Sequence, residues 1–95
     1  ALQGKQLVLS PDAREGSLKV YQDMELYRWA LAKGEQSVHQ IAADRRVWIQ
    51  VVKGEVSING TKATTSDGLA IWDEQAISVH ADSESEILLF DLPPV

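Results

Sequence analysis

The chain contains no cysteine. That excludes a disulfide framework, a thiolate nucleophile and every cysteine-based metal site. Basic residues are also scarce: 9 Lys and Arg against 14 Asp and Glu leave a formal net charge of -5. No basic cluster larger than Arg45-Arg46 offsets that balance, so neither nucleic acid nor an anionic membrane surface is an expected partner. No apolar run approaches the roughly 20 residues of a membrane-spanning helix. A charged-then-apolar leader is missing as well, and the expected location is cytoplasmic. The sequence opens on Ala1 without an initiator Met. Removal of Met before Ala is the plain reading, and excision from a longer protein the sharper one.

What is present is alternation. In the stretch Arg45–Gly60, Val47, Ile49 and Val51 share one face of a strand, while Arg46, Trp48, Gln50 and Val52 share the other. Val56 and Ile58 continue the pattern after Lys53-Gly54, which reads as the turn of a β-hairpin. Asn59-Gly60 supplies a second tight turn, because both residues tolerate the positive φ of a type I′ turn. The two turns together predict an antiparallel meander. Further strands are expected at Lys5–Ser10, Leu18–Gln22, Met24–Leu31, Gln36–Ile41, Thr61–Thr65, Leu69–Trp72, Ala76–Ala81 and Ser85–Leu92. A helix is the rival reading of Met24–Ala32. Turn signals every 8–12 residues predict an all-β barrel or sandwich. At 95 residues this is one domain with one modest core.

The last strand is apolar on both faces. Leu88, Phe90 and Leu92 are expected to fill the barrel, leaving Ile87 and Leu89 outside with Trp48 and Val52. Such a patch marks an interface. The isolated chain is therefore expected to self-associate as a homodimer, by a two-fold interface or by exchanging the terminal strand Leu2–Ser10, unless the Ser10–Ser17 loop covers the patch.

The order of turns and strands resembles the cupin superfamily, whose fold is an antiparallel jelly-roll β-barrel. Gly34, His39, Ile41, Val47 and Gly54 fall near the first cupin motif, and Gly60, Ser66-Asp67-Gly68 and Ile71 near the second. Where the family places its second His this chain has Ile41; for the Glu it has Val47, and for the late His it has Ile71. First-row metals require several converging imidazole and carboxylate donors. One imidazole among hydrocarbons does not provide them, so no cofactor is expected in this chain. Within cupins, the ordered set Ser10-Pro11-Asp12, Glu15-Gly16-Ser17, Val20-Tyr21-Gln22-Asp23, Arg46–Val51, Ser66-Asp67-Gly68, Asp73-Glu74 and Ile87–Pro93 is similar to the C-terminal half of pirin-like bicupins of the quercetinase type, enterobacterial members in particular. The resemblance covers essentially the whole chain. It implies that three His and a Glu bind iron in an N-terminal cupin absent here, and that this lobe is a degenerate, non-catalytic cupin packing against the metal-bearing one. The full protein would be a dioxygenase-like or redox-responsive iron protein.

His39, Val47 and Ile71 remain as candidate pocket residues. His39 reads either as a ligand contact at the barrel mouth or as a hydrogen-bonded strand residue. A stand-alone small-molecule-binding barrel, or a metal-free isomerase pairing His39 with Asp44 or Asp73, is the alternative function. His80 shares a polar face with Ser78 and reads as solvated. Asp82, Glu84 and Glu86 lack the spacing of a cation loop. Trp29, Trp48 and Trp72 read as core or interface residues rather than a base-stacking platform.

Overall fold

The computed structural model describes residues 4–19, 23–72 and 74–93. Expected strand residues Leu2, Gln3 and Val20–Gln22, and the candidate acid Asp73, lie outside them. Ten strands follow in order: β1 (Gly4–Ser10), β2 (Leu18–Lys19), β3 (Glu25–Leu31), β4 (Gln36–Gln40), β5 (Arg46–Lys53), β6 (Glu55–Ile58), β7 (Thr61–Thr64), β8 (Gly68–Ile71), β9 (Ala76–Ala81) and β10 (Ser85–Leu92). A short 3-10 turn at Arg14–Gly16 interrupts the loop after β1. Residues Glu25–Leu31 form a strand, not the rival helix, because Tyr27, Trp29 and Leu31 alternate inward against Leu26, Arg28 and Ala30.

The strands form two facing sheets, ordered β2-β1-β3-β10-β5-β8 and β4-β9-β6-β7. All neighbours are antiparallel except β1 and β2, which run parallel through Leu9 opposite Leu18. Between the sheets lies a core in which Trp29, Ile49, Val56, Ile77, Val79, Ile87 and Leu89 are almost wholly buried. Each such side chain contributes about 1.5–3 kcal/mol of apolar transfer.

Two expectations are corrected. Lys53-Gly54 does not close a hairpin. Strand β5 pairs with β10 and β8, whereas β6 pairs with β7 and β9 in the other sheet. Gly54, at φ 89°, is the corner where the chain changes sheet. A Cβ there would run into Ser85 Oγ and lie 2.5 Å from the Glu84 carbonyl oxygen. The turn at Asn59-Gly60 does close a hairpin, β6–β7, with φ of 47° and 85°. Asn59 Oδ1 accepts the Ser78 N–H at 2.8 Å, tying that turn to β9.

The second correction is the phase of β10. Ile87 and Leu89 face the core, and Leu88, Phe90 and Leu92 face out. Strand β10 is central, so it is covered on one face by the core and is apolar on the other; its own alternation carries no phase. The neighbours impose it. Leu89 sits opposite Tyr27 and Ile49, and Ile87 opposite Trp29 and Val51, all on the core side. Trp48 and Val52 face outward as expected.

Candidate functional site

The expected pocket residues converge at one end of the sandwich. Val47 and Ile71 are direct partners across β5 and β8. Val47 and Ile41 belong to the core cluster, and Ile71 packs against it. All three are hydrocarbon side chains at or against the core. Among the described residues no three His, Cys, Asp or Glu side chains come together as a metal site.

His39 is at this end too, on the inward face of β4 and 5% exposed. Its Nε2 lies 3.3 Å from Asp91 Oδ2 and its Nδ1 lies 2.9 Å from Lys5 Nζ. An ammonium can only donate, so Nδ1 accepts and Nε2 carries the proton that bonds Asp91. The Tyr27 ring meets the imidazole edge-on, with centroids 5.1 Å apart. Asp91 accepts from Arg45 Nε at 2.5 Å through its other oxygen. The Arg45 guanidinium goes on to Asp23, reaching both carboxylate oxygens at 3.1 Å. The result is a chain of alternating charge from Lys5 through His39, Asp91 and Arg45 to Asp23.

Three groups at this end, Asp91, Lys5 and Tyr27, are shifted by burial and by their neighbours. Burial pushes the Asp91 carboxyl up, but bonds and charge from His39 and Arg45 outweigh it and hold the group below its ordinary range. Burial also pushes the Lys5 amine down, against the opposing pull of Glu15, Asp91 and Glu25. The Tyr27 hydroxyl is pushed up to about 12, first by burial and then by Glu25, to which it donates at 3.1 Å. Arg14 from the 3-10 turn pairs with Glu25, closing the second half of this polar end.

Among the described residues the carboxylate partner of His39 is thus Asp91, and not the expected Asp44. Asp44 is exposed in the loop after β4, at φ 66°. The inverted phase of β10 is what concealed Asp91: with Leu88 and Phe90 inward, Asp91 would face solvent. The missed signal was an acid placed beyond four consecutive apolar residues of a central strand, in phase with Ser85, because a carboxylate there is kept only with partners. Lys5 carried no such signal.

The remaining candidates sit apart. His80 is half-exposed with Nδ1 3.0 Å from Asp82. Asp82, Glu84 and Glu86 have separate partners, Ser57, Lys53 and Arg28, and do not converge. Trp29 is core, while Trp72 is 61% exposed beside an open groove of about 1170 Å³ that also borders Arg45, Arg46 and Glu74. On the outer face of the larger sheet, Trp48, Leu88, Phe90 and Leu92 line a shallow apolar depression of about 350 Å³. The Trp48 ring lies against the backbone of Gly68, where a Cβ would collide with it. Of the four expected interface residues, Trp48 and Val52 are on this outer side; Ile87 and Leu89 are not.

The two facing sheets, the strand order and the end-on cluster define a cupin-type β-sandwich. More narrowly, residues 7–92 match the family model described as "Quercetinase C-terminal cupin domain", and the chain belongs to that family. It is 86% identical over its full length to a protein of Escherichia coli K12 named quercetin 2,3-dioxygenase, covering 41% of it. It is 36% identical over 94 residues to the pirin-like protein YhaK of the same organism, covering 40%. Among solved structures, the E. coli bacterial pirin YhhW in complex with nickel(II) superposes with a TM-score of 0.98 at 86% identity, over the whole of this chain and 42% of that one. The chain spans about two-fifths of the length of these relatives.

Proposed function

We propose that this chain is a metal-free, non-catalytic lobe of a two-domain pirin-like protein, and that it packs against an N-terminal cupin carrying the metal. The observation that supports this reading is that Ile41 and Val47 belong to the hydrophobic core and Ile71 packs against it, these being the residues that stand, by resemblance to the cupin motifs, where metal donors would be needed. His39, the one donor left, has both ring nitrogens engaged. An iron or nickel ion does not fit these residues. The dioxygenase chemistry in the name of the E. coli relative, and the nickel(II) in the related structure, are then assigned to the other lobe. A cytoplasmic setting is part of the same reading.

A metal-free isomerase needs an imidazole free to take a substrate proton. The double engagement of His39 argues against it. The partner in this reading docks on the outer apolar face around Trp48 and Phe90, and a second copy takes its place in the isolated chain.

Elemental analysis of the chain, purified without a His tag, tests the proposal. Metal well below one ion per chain is the expected result. One ion per chain, lost in His39→Ala, overturns the degenerate-cupin reading.

A further inference from the structure

The polar end of the sandwich holds a group that the lobe reading does not use. Lys5 is on β1, on the same face as Leu7 and opposite Trp29. Its stem is exposed, but its Nζ is drawn over two aromatic rings, 4.9 Å from the Tyr27 centroid and 5.1 Å from that of Trp29. A cation can rest there for its own sake. What a simple cation–π contact does not require is the third neighbour, His39 Nδ1 at 2.9 Å, an unprotonated nitrogen aimed at the ammonium. Behind that imidazole stands a carboxylate, Asp91, and behind the carboxylate a guanidinium, Arg45, that fixes its orientation. An amine, a base in hydrogen-bond reach and a third group orienting the base are the parts of an activated nucleophile.

We propose that Lys5 is the amine of a reversible covalent site for small carbonyl compounds, aldehydes above all, with His39 as its proton acceptor. The Lys5 ammonium gives a proton to His39 Nδ1. The resulting imidazolium is stabilised by Asp91. The free amine attacks the carbonyl carbon from the solvent side, forming a C–N bond, and the carbonyl oxygen becomes a hydroxyl after proton transfer. His39 returns its proton to that hydroxyl, the C–O bond breaks, and water leaves. The balance is one amine plus one carbonyl giving one imine plus one water, with no oxidant or reductant. Water reverses it. The half-buried Tyr27 ring, its centroid 4.9 Å from the reacting nitrogen, offers an apolar face for a short alkyl or aryl group. The burial that pushes the amine down adds to the effect, against the attraction of Glu15, Glu25 and Asp91. Asp91 and Arg45 are positioning residues in this scheme. The site binds and does not turn over, so it stands whether or not the chain serves as a lobe.

The chain has five lysines, at positions 5, 19, 33, 53 and 62. Propanal with cyanoborohydride at neutral pH converts each imine to an N-propyl amine, and peptide mass mapping reads the rate at each position. Lys5 is expected to react roughly tenfold or more faster than the mean of the other four, well within what a positioned base supplies. His39→Gln should bring Lys5 down to the rate of the others while the circular dichroism stays unchanged, and Asp91→Asn should do the same. The wild-type chain in denaturing urea is the control that needs no variant: the advantage of Lys5 must vanish there. Equal rates in the folded chain overturn the proposal. So does a Lys5 slower than the rest, which would make it a buried plug, and so does an advantage that survives in folded His39→Gln.

Discussion

Replacing Gly54 by alanine should be among the most damaging single-methyl changes available in this chain, and its cost can be separated into two parts. Gly54 has φ 89°. An L residue held at positive φ loses about 1–2 kcal/mol. The added methyl also meets the opposing corner, with the Glu84 carbonyl oxygen at 2.5 Å and Ser85 Cα at 2.9 Å. Ser85 Oγ can rotate away, but those two are backbone. Forcing a methyl into a filled space costs about 1–3 kcal/mol. Together the loss is roughly 2–5 kcal/mol, against a total stability of about 5–15 kcal/mol for a domain of this kind. Gly34 is the control. Its φ is 84° and nothing lies within 4 Å of its would-be Cβ, so Gly34→Ala keeps only the backbone part, about 1–2 kcal/mol. Urea melts of the two variants beside wild type give the difference, with the slope expected to stay constant. In thermal melts each kcal/mol should appear as about 4–8 °C. Equal losses for Gly34→Ala and Gly54→Ala would refute the reasoning, because they would show that no close approach exists at the corner.

The other expectations concern the turn, the carboxylate and the outer face. At the β6–β7 turn, Gly60→Val should cost about 1–3 kcal/mol and Gly60→Asn distinctly less, since Asn tolerates positive φ; equal, negligible losses in urea would show the turn is misassigned. The folded Asp91 carboxyl sits below its ordinary value of 3.8. A depressed carboxyl contributes stability that is present above the unfolded pKa and is lost as pH falls through the folded one. Urea midpoints should therefore decline on acidification below about pH 4, and less steeply in Asp91→Asn; identical slopes would remove Asp91 from the account. On the outer face, Phe90→Glu or Trp48→Glu should leave a cooperative melt and reduce self-association by light scattering across a dilution series. Leu89→Glu should instead unfold the chain, because a charge at a fully buried position has no partner; the reverse pattern would restore the opposite phase of β10.

Most of the strands could be read from period-2 alternation, since Val47, Ile49 and Val51 are inward just as their spacing implies. Strand existence is a local property, and local signals carried it. Which sheet a strand joins is not local. Gly54 looked like a hairpin turn because a corner and a hairpin use the same residue for the same reason, a positive φ. The phase of β10 escaped for a related cause. Ile87–Phe90 are apolar without a break, and the strand's pairing with β3 and β5 decides which half is core. That one inversion also hid the partner of His39. Val47 is buried and Ile71 packs against the core, and on β4 His39 is buried where its neighbour Val38 is exposed. Lys5 was invisible, because a lysine near an imidazole leaves no trace in spacing.

The position of β10 in the larger sheet bears on how the molecule is assembled in time. Its two neighbours are β3 and β5, and among the described strands it comes last in sequence. Until residues 85–92 have been synthesised, both of those strands lack the partner that lies between them, and Trp29 and Ile49 lack the cover of Ile87 and Leu89. Pairings between segments so distant in sequence close slowly. A nascent chain stopped short of Ser85 would present two open strand edges side by side, a template for pairing with other chains. Folding of the larger sheet is accordingly a late event, tied to the arrival of residues 85–92, whereas the β6–β7 hairpin can form as soon as its own residues emerge.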